Sequence, residues 1–388
     1  MTSRRDPSEL RTGFTTGSAA AAAAKVSTLV LAGHPPVTEV DIPLPVGGRL
    51  TIPVESVDTT PLGVKATVIK DAGDDPDVTH RARISVTASL RPDDAGSEPV
   101  ELLAGSGVGR VTKPGLPVPV GEPAINPVPR EQIRAAVLEA RERSGLQASL
   151  SLTIEVADGE TMAKRTLNPR LGILGGISIL GTRGTVKPFS CASYRATIAS
   201  ALDVARAQGI ATAALSTGGR SERFLQERHP HLPDEAYVQI ADFFAFSLQQ
   251  ASSKGFSGIV LGCFFGKLVK MAQGHAYTHA RSADLNFRQL ADWARNLGVS
   301  PGRAREIEDC NTARHALEII EHDPGAGALM ADVTGRAMQA ARAHAGPDLS
   351  MTIWVFDFDG RVLQTLESRA VASVLGSGVG FQKHKDHS

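Results

Sequence analysis

From about residue 148 onward, apolar strand-like runs alternate with helical stretches, and no other feature of the chain constrains its fold as tightly. The apolar runs cover 150–156, 171–180, 211–215, 258–262 and 351–357. Helical patterning covers roughly 190–208, 235–253, 265–274, 285–297, 310–322 and 326–343. Strands that are apolar on both faces need cover on both, and strands separated by a helix join most simply in parallel. The expected fold is therefore α/β: an α+β N-terminal domain over 1–145, followed by a parallel-sheet, Rossmann-like C-terminal domain over 146–388. Ligands in such sheets sit outside the carboxyl ends of the strands. Three turns follow predicted strands and are candidates for one shared crevice: Gly181 to Gly184, the loop 216–222, and 263–267.

The first 145 residues mix short strands with two helices. Residues 18–32 are mostly Ala, Leu and Val, with Thr16 or Ser18 suited to cap a helix and Gly33 suited to end it. Strands are expected at 37–42, 49–54, 63–69 and 84–90. The stretch 113–130 holds six prolines, which argues against helix or central strand and for an extended connector. A helix over about 129–143 follows.

Charge narrows the partners. Lys+Arg and Asp+Glu both number 41. A balanced chain is a poor general binder of nucleic acid or membrane, both of which need a basic face. Neither partner is expected, though a local basic pocket is compatible. Cys191, Cys263 and Cys310 are odd in number and lack CxxC spacing, which fits a reduced, cytoplasmic setting without structural zinc. The first residues lack the apolar core of a signal peptide, and no apolar run reaches the length of a membrane span.

Several short constellations could carry chemistry. The Gly181-Thr-Arg-Gly184 turn sets bare backbone N–H groups after an apolar run, but without GxGxxG spacing; a tight turn with no ligand is the other reading. Glu222 is the acid of the 216–222 loop, placed to hold ribose hydroxyls or simply solvated. Asp71, Asp74, Asp75, Asp77 and His80 crowd one loop without EF-hand spacing. They read as a substrate-contacting acidic loop, as capped turns, or as a cation site. Arg110 and Lys113 flank a glycine-rich stretch that could form an anion-binding nest, or a flexible hairpin. Thr278, His279, Arg281 and Asp284 lie near a turn, where His279 can change charge near neutral pH or serve as a structural histidine.

Together these segments resemble the CbiD family of cobalamin biosynthesis, the cobalt-precorrin-5B C1-methyltransferases. The likeness rests on Arg11-Thr-Gly-Phe-Thr-Thr-Gly-Ser18 with its alanine run to Lys25, and on Lys70-Asp-Ala-Gly-Asp-Asp-Pro-Asp-Val-Thr-His80. It continues through the glycine- and proline-rich stretch 107–130, the segment 168–188, and Gly266-Lys-Leu-Val-Lys270 with Thr278, His279 and Asp284. Where the family usually carries Cys, this chain has Ala19, so a covalent cysteine is excluded there; Thr217, Gly218 and Gly219 also depart from the family pattern.

The resemblance implies methyl transfer from S-adenosylmethionine to C1 of a corrinoid, with cobalt arriving inside the substrate and no metal site on the protein. It implies Gly181, Thr182, Gly184 and Glu222 as contacts to the methyl donor. Asp71, Asp75, Asp77, His80, Arg110, Lys113, Arg183, Lys187, Lys267 and Arg281 become candidates to face the carboxylated substrate. His279 and Asp284 become the catalytic candidates. A homo-oligomer is compatible with this reading. The alternative is a non-catalytic carrier of corrinoid intermediates, which would bind a tetrapyrrole but no methyl donor.

Overall fold

The structure, a computed structural model, describes residues 10–92, 98–280 and 282–369. The chain divides into two compact units, Met1–Gly209 and Ile210–Ser388.

The first unit runs β1 (Gly13–Phe14), α1 (Thr16–Leu31), β2 (Glu39–Pro43), β3 (Arg49–Pro53), β4 (Ser56–Thr60), β5 (Gly63–Ile69), β6 (Arg83–Arg91) and β7 (Val100–Ala104). It continues through β8 (Gly107–Val108), β9 (Arg110–Val111), α2 (Pro127–Ser144), β10 (Ser149–Val156), α3 (Gly159–Ala163), β11 (Ile173–Leu174), β12 (Gly176–Ile177), β13 (Thr185–Val186) and α4 (Cys191–Ala207). The main sheet is ordered β4-β5-β6-β10-β7. β10 pairs antiparallel with β6 and parallel with β7, which makes α2 a crossover helix. This pairing moves the boundary from the expected residue 145 to Gly209: the run 150–156 is an inner strand of the first sheet and cannot join the second.

α1 has no solvent face. Ala19 to Ala24 are each 0% exposed, and their small side chains let the helix lie close to α2, β5 and β6. Its cap is Thr15 rather than Thr16 or Ser18: the Thr15 hydroxyl accepts from Ser18 N at 3.1 Å. The proline-rich stretch is not wholly extended either. Pro127 and Pro129 lie in the first turn of α2, where a missing N–H costs no helical bond. Upstream, Val118 and Ala124 bury a small apolar cluster with Val111 and Ile173, so the stretch is packed rather than a passive linker.

Glu139 of α2 ties three elements together. It accepts from Arg49 of β3 at 2.8 and 3.0 Å and from Lys25 of α1 at 2.5 Å. The Arg49 hydrogen bonds, opposed by burial and helped by Lys25, hold its carboxyl down at about 2. A depressed carboxyl contributes stability that is present above its ordinary value of 4.5 and lost as pH falls through about 2. Glu139→Gln should therefore cost about 1–3 kcal/mol at neutral pH. Urea titrations repeated down the pH scale should show the variant losing part of the wild-type acid slope.

The second unit runs β14 (Thr212–Ser216), α5 (Gly219–Arg228), β15 (Tyr237–Gln239), α6 (Phe244–Ser253), β16 (Gly258–Phe264) and α7 (Phe265–Ala272). Then come α8 (Phe287–Asn296), α9 (Pro301–Glu308), α10 (Ala313–Glu321), α11 (Ala326–Ala345), β17 (Ser350–Phe356) and β18 (Val362–Ser368). The sheet is ordered β15-β14-β16-β17-β18, parallel except for the antiparallel edge strand β18.

Two local expectations change. The run 171–180 is not one strand: Gly172 and Gly175, at φ +73° and +81°, break it into the two-residue pieces β11 and β12. The stretch 235–253 is not one helix, because Tyr237–Gln239 pairs with Ala214–Ser216 before α6 begins. Among the described residues, no helix is long and apolar enough to cross a membrane.

Candidate functional site

The order of the second sheet fixes where a ligand can enter. From β14 the chain crosses to β15 on one side, then returns through α6 to β16 on the other. The crevice of such a sheet opens at this reversal, between the carboxyl ends of β14 and β16. The loop 216–222 lies there. Thr217 N donates to Gly262 O at 3.2 Å, and Ser221 Oγ donates to Gly218 O at 2.9 Å. α5 sits low on the sheet because Gly262 lacks a side chain; a Cβ there would lie 2.6 Å from Leu225 Cγ.

Glu222, in the first turn of α5, is 7% exposed and accepts from Gln239 Nε2 at 3.1 Å. Gln239 ends β15, so the pair joins the start of α5 to the end of that strand. The Ser216 hydroxyl is fully buried and has no hydrogen-bond partner among the described residues. In the register Ser216–Gly262–Trp354, the Trp354 indole N–H is likewise buried and unpartnered.

A cavity of about 650 Å³ opens at the ends of β16 and β17, with Phe264, Lys267, Lys270, Asp284, Arg314 and Phe358 in its wall. Lys267 donates to Asp242 Oδ1 and lies 3.3 Å from both oxygens of Thr278. Burial, and next the charge of Lys270, pull the Lys267 amine down to about 8. The contact with Asp242 works in the opposite sense, favouring the charged form. With three donors spent on Asp242 and Thr278, Lys267 holds the 276–280 segment against α7. Lys270 gives one hydrogen bond to Thr278 O, at 3.2 Å.

The other sequence candidates separate. The Gly181–Gly184 turn belongs to the first unit, where it packs on the start of α1, and it follows no strand of the parallel sheet. Thr15 N donates to Gly184 O at 3.0 Å, Ser18 Oγ to the same oxygen at 2.7 Å, and Gly17 N to Leu180 O at 3.2 Å. Thr182, Arg183 and Lys187 are exposed beside it.

The acids of the 71–80 loop are already held by protein groups. Asp71 pairs with Arg11, whose second N–H lies at 2.9 Å, and this pairing holds the carboxyl below its ordinary range. Asp75 accepts from Phe189 N at 2.8 Å, and Asp77 accepts from Lys70 at 2.6 Å. His80 Nδ1 accepts from Ala72 N at 3.1 Å. Its acids are thus engaged in building the loop, and among the described residues no group of three His, Cys, Asp or Glu is placed to hold a metal ion.

Arg110 donates to Gly121 O at 2.8 Å, and the stem of Lys113 lies over Gly172, where a Cβ would come within 2.4 Å of Lys113 Cγ. His279 stacks on Tyr277 with ring centroids 5.8 Å apart and stands outside the cavity lining, whereas Asp284 is part of it. Arg281 falls outside the described residues.

Gln239, Asp242, Arg220, Arg314 and Phe358 carry no motif that marks them in the sequence. Gln239 and Asp242 were concealed inside an expected helix. Phe358 directly follows the apolar run that forms β17, so the rule that ligands gather beyond strand ends could have found it.

Residues 3–188 match the CbiD family model, and residues 277–365 match that of the CbiD C-terminal domain. The cobalt-precorrin-5B C(1)-methyltransferase of Nitratidesulfovibrio vulgaris is 48% identical over 365 residues, 92% of this chain and 93% of that protein. The Thermus thermophilus protein of the same name is 44% identical over 368 residues, 95% of this chain and 97% of the relative. A crystal structure of the cobalamin biosynthesis protein CbiD from Archaeoglobus fulgidus covers 67% of this chain and 78% of its own, at 26% identity and a TM-score of 0.39. With both family models matched and identity this high along nearly its whole length, the chain belongs to the CbiD family.

Proposed function

We propose that the protein is a methyltransferase that uses S-adenosylmethionine to methylate C1 of cobalt-precorrin-5B, giving cobalt-precorrin-6A, in the cytoplasm. The observation that carries this reading is the buried Glu222–Gln239 pair at the reversal point of a mostly parallel sheet. The relatives' shared name supplies the reaction. The second unit acts, in this reading, as a Rossmann-like donor domain.

The residues present suit such a donor. An acid beyond a neighbouring strand can accept from ribose hydroxyls, and Glu222 stands ready beside the short turn after β14. The unpartnered Ser216 hydroxyl offers one more polar contact at the same strand end. S-Adenosylmethionine supplies a methyl group already activated on a positively charged sulfur.

The protein is therefore left mainly with orientation, which is worth about 7–11 kcal/mol when reactants are held in line. The loop 216–222 fixes one partner, and the cavity beyond β16 and β17 faces the other. Asp284 in the cavity wall, with His279 nearby in the chain, can exchange any proton that the substrate takes up or releases. The exposed cations Arg110, Arg183 and Lys187 of the first unit are suited to carboxylates. Asp71, Asp75, Asp77 and His80 serve by shaping the loop. Cobalt enters and leaves as part of the substrate.

Glu222→Ala should weaken donor binding about 10-fold or more, the worth of a hydrogen bond to a charged group. Calorimetry on the folded variant checks this. Anaerobic incubation with cobalt-precorrin-5B and labelled donor, followed by mass analysis, checks the reaction. A wild-type protein that binds the tetrapyrrole but neither binds the donor nor adds a methyl group would be a carrier instead.

A further inference from the structure

Phe358 is out of place for a large aromatic ring. It is 46% exposed, yet the turn that presents it is rigid. Asp357 accepts from Asp359 N at 3.0 Å, Arg361 N at 2.8 Å and Arg361 Nε at 3.0 Å. Gly360, at φ +93°, packs so closely on Phe224 that a Cβ would lie 2.6 Å from the ring. Held this way, Phe358 stacks on Phe264 with centroids 4.9 Å apart and planes 20° apart, and Phe224 meets Phe264 edge-on at 6.4 Å. The result is a fixed aromatic shelf in the cavity wall.

Two guanidiniums lie over the same ring. Arg220 Cζ, from the first turn of α5, is 5.8 Å from the Phe358 centroid, and Arg314 Cζ, from α10, is 5.7 Å away. A guanidinium stacked on a ring uses its face and leaves N–H groups free at its edge. Arg220 sits over Phe358, while its neighbour Arg223 takes the carboxylate of Glu227. Among the described residues Arg314 pairs with Glu318, one helical turn on, in a pair exposed enough to add little. Lys270 adds another cation to the wall. Of the acids in the lining, Asp357 is already neutralised by Arg361, which leaves Asp284 against Lys270 and Arg314, with Arg220 next to the lining at Phe358.

An aromatic stack with guanidiniums held over its outer ring suits a ligand with a planar face and a carboxylated fringe. A small anion would leave the shelf unused, and a nucleic acid would need a longer basic track. We infer that this cavity seats one carboxylated edge of the planar macrocycle, with the Phe264–Phe358 stack against it and Arg314 and Arg220, held over Phe358, clamping its carboxylates. This deepens the proposed function and rests on its corrinoid substrate.

The test uses the full-length protein and two stable probes, dicyanocobyrinic acid with its free carboxylates and its permethyl ester, each followed by optical titration. The acid should bind about 10-fold or more tightly than the ester. Arg314→Gln and Arg220→Gln should each weaken the acid about 10-fold while leaving the ester unchanged, and Phe358→Ala should weaken both. Arg314→Lys, which keeps the charge but not the planar fork, should recover only part of the loss, and it stands in if Arg314→Gln does not fold. Equal binding of acid and ester, no binding of either, or arginine variants that hold the acid as the wild type does would each overturn the inference. If methyl transfer proceeds while these variants bind the acid normally, the cavity assignment fails and the methyltransferase reading stands. If the arginines hold the acid but no methyl group is ever transferred, the reverse is true.

Discussion

Gly181→Val should destabilise the first unit by about 3–7 kcal/mol, the sum of three costs. The backbone at Gly181 has φ +134°, a conformation that costs a residue with a Cβ about 1–3 kcal/mol. The new Cβ would also lie 2.4 Å from Thr15 Cγ2 and 2.6 Å from Thr15 Oγ1, and such overpacking costs about 1–3 kcal/mol more. Thr15 cannot simply move aside. Its hydroxyl caps α1 and its N–H is bonded to Gly184 O, so displacing it uncaps the helix at about another 1 kcal/mol. Urea denaturation should show a lower midpoint, with Gly181→Ala carrying most of the effect because the first carbon makes the clash. A wild-type midpoint for both variants would rule out this packing account. Donor affinity measured on the folded fraction of the same variant separates the packing role from any ligand contact.

A loss of similar size is expected from Asp77→Ala. The Lys70 side chain is 1% exposed, and its ammonium lies 2.6 Å from Asp77. Removing the carboxylate strands a buried positive charge, which costs about 3–5 kcal/mol. Removing both charges, as in Lys70→Met with Asp77→Ala, should restore most of the stability, because no unpaired charge remains. Burial alone would push the Asp77 carboxyl up, but the charge of Lys70 and hydrogen bonds from Lys70 and Thr79 outweigh it and hold it below its ordinary value of 3.8. A depressed carboxyl stabilises above that ordinary value, and its contribution is lost as pH falls through the lower folded value. Wild type and Asp77→Ala should therefore differ most at neutral pH and converge in strong acid. A gap that persists there, or a double variant no better than the single one, would refute the ion-pair account.

Long periodic features of this chain were legible because they reflect burial. The alanine-rich α1 and the strands β5, β6, β14, β16 and β17 lie where composition and alternation put them. What escaped was pairing. Nothing local says that 150–156 inserts between β6 and β7, since an apolar strand fits either sheet equally well. Three-residue β15 is too short for any period to register, and it took Gln239 and Asp242 out of view with it.

The candidate site suffered from a related blindness. Glycines 181 and 184 look like ligand-approach residues, but here another segment of the chain makes the approach, and the sequence does not distinguish the two. Charge in a sequence does not say what it faces: Asp71, Asp75, Asp77 and Lys267 are each held by protein groups, which local residue types do not reveal.

The position of β10 also bears on how the chain assembles. β6 leaves its inner edge unfilled until β10 arrives, well after β7 and α2 have been made. An unfilled edge is a template for wrong partners. The main sheet of the first unit is thus tied to distant pairing, which closes slowly because the loop must be ordered before the pairing rewards it. During synthesis this unit should stay vulnerable until the chain has passed Val156, and slow refolding and edge-driven association should both ease in variants that hasten the docking of α2.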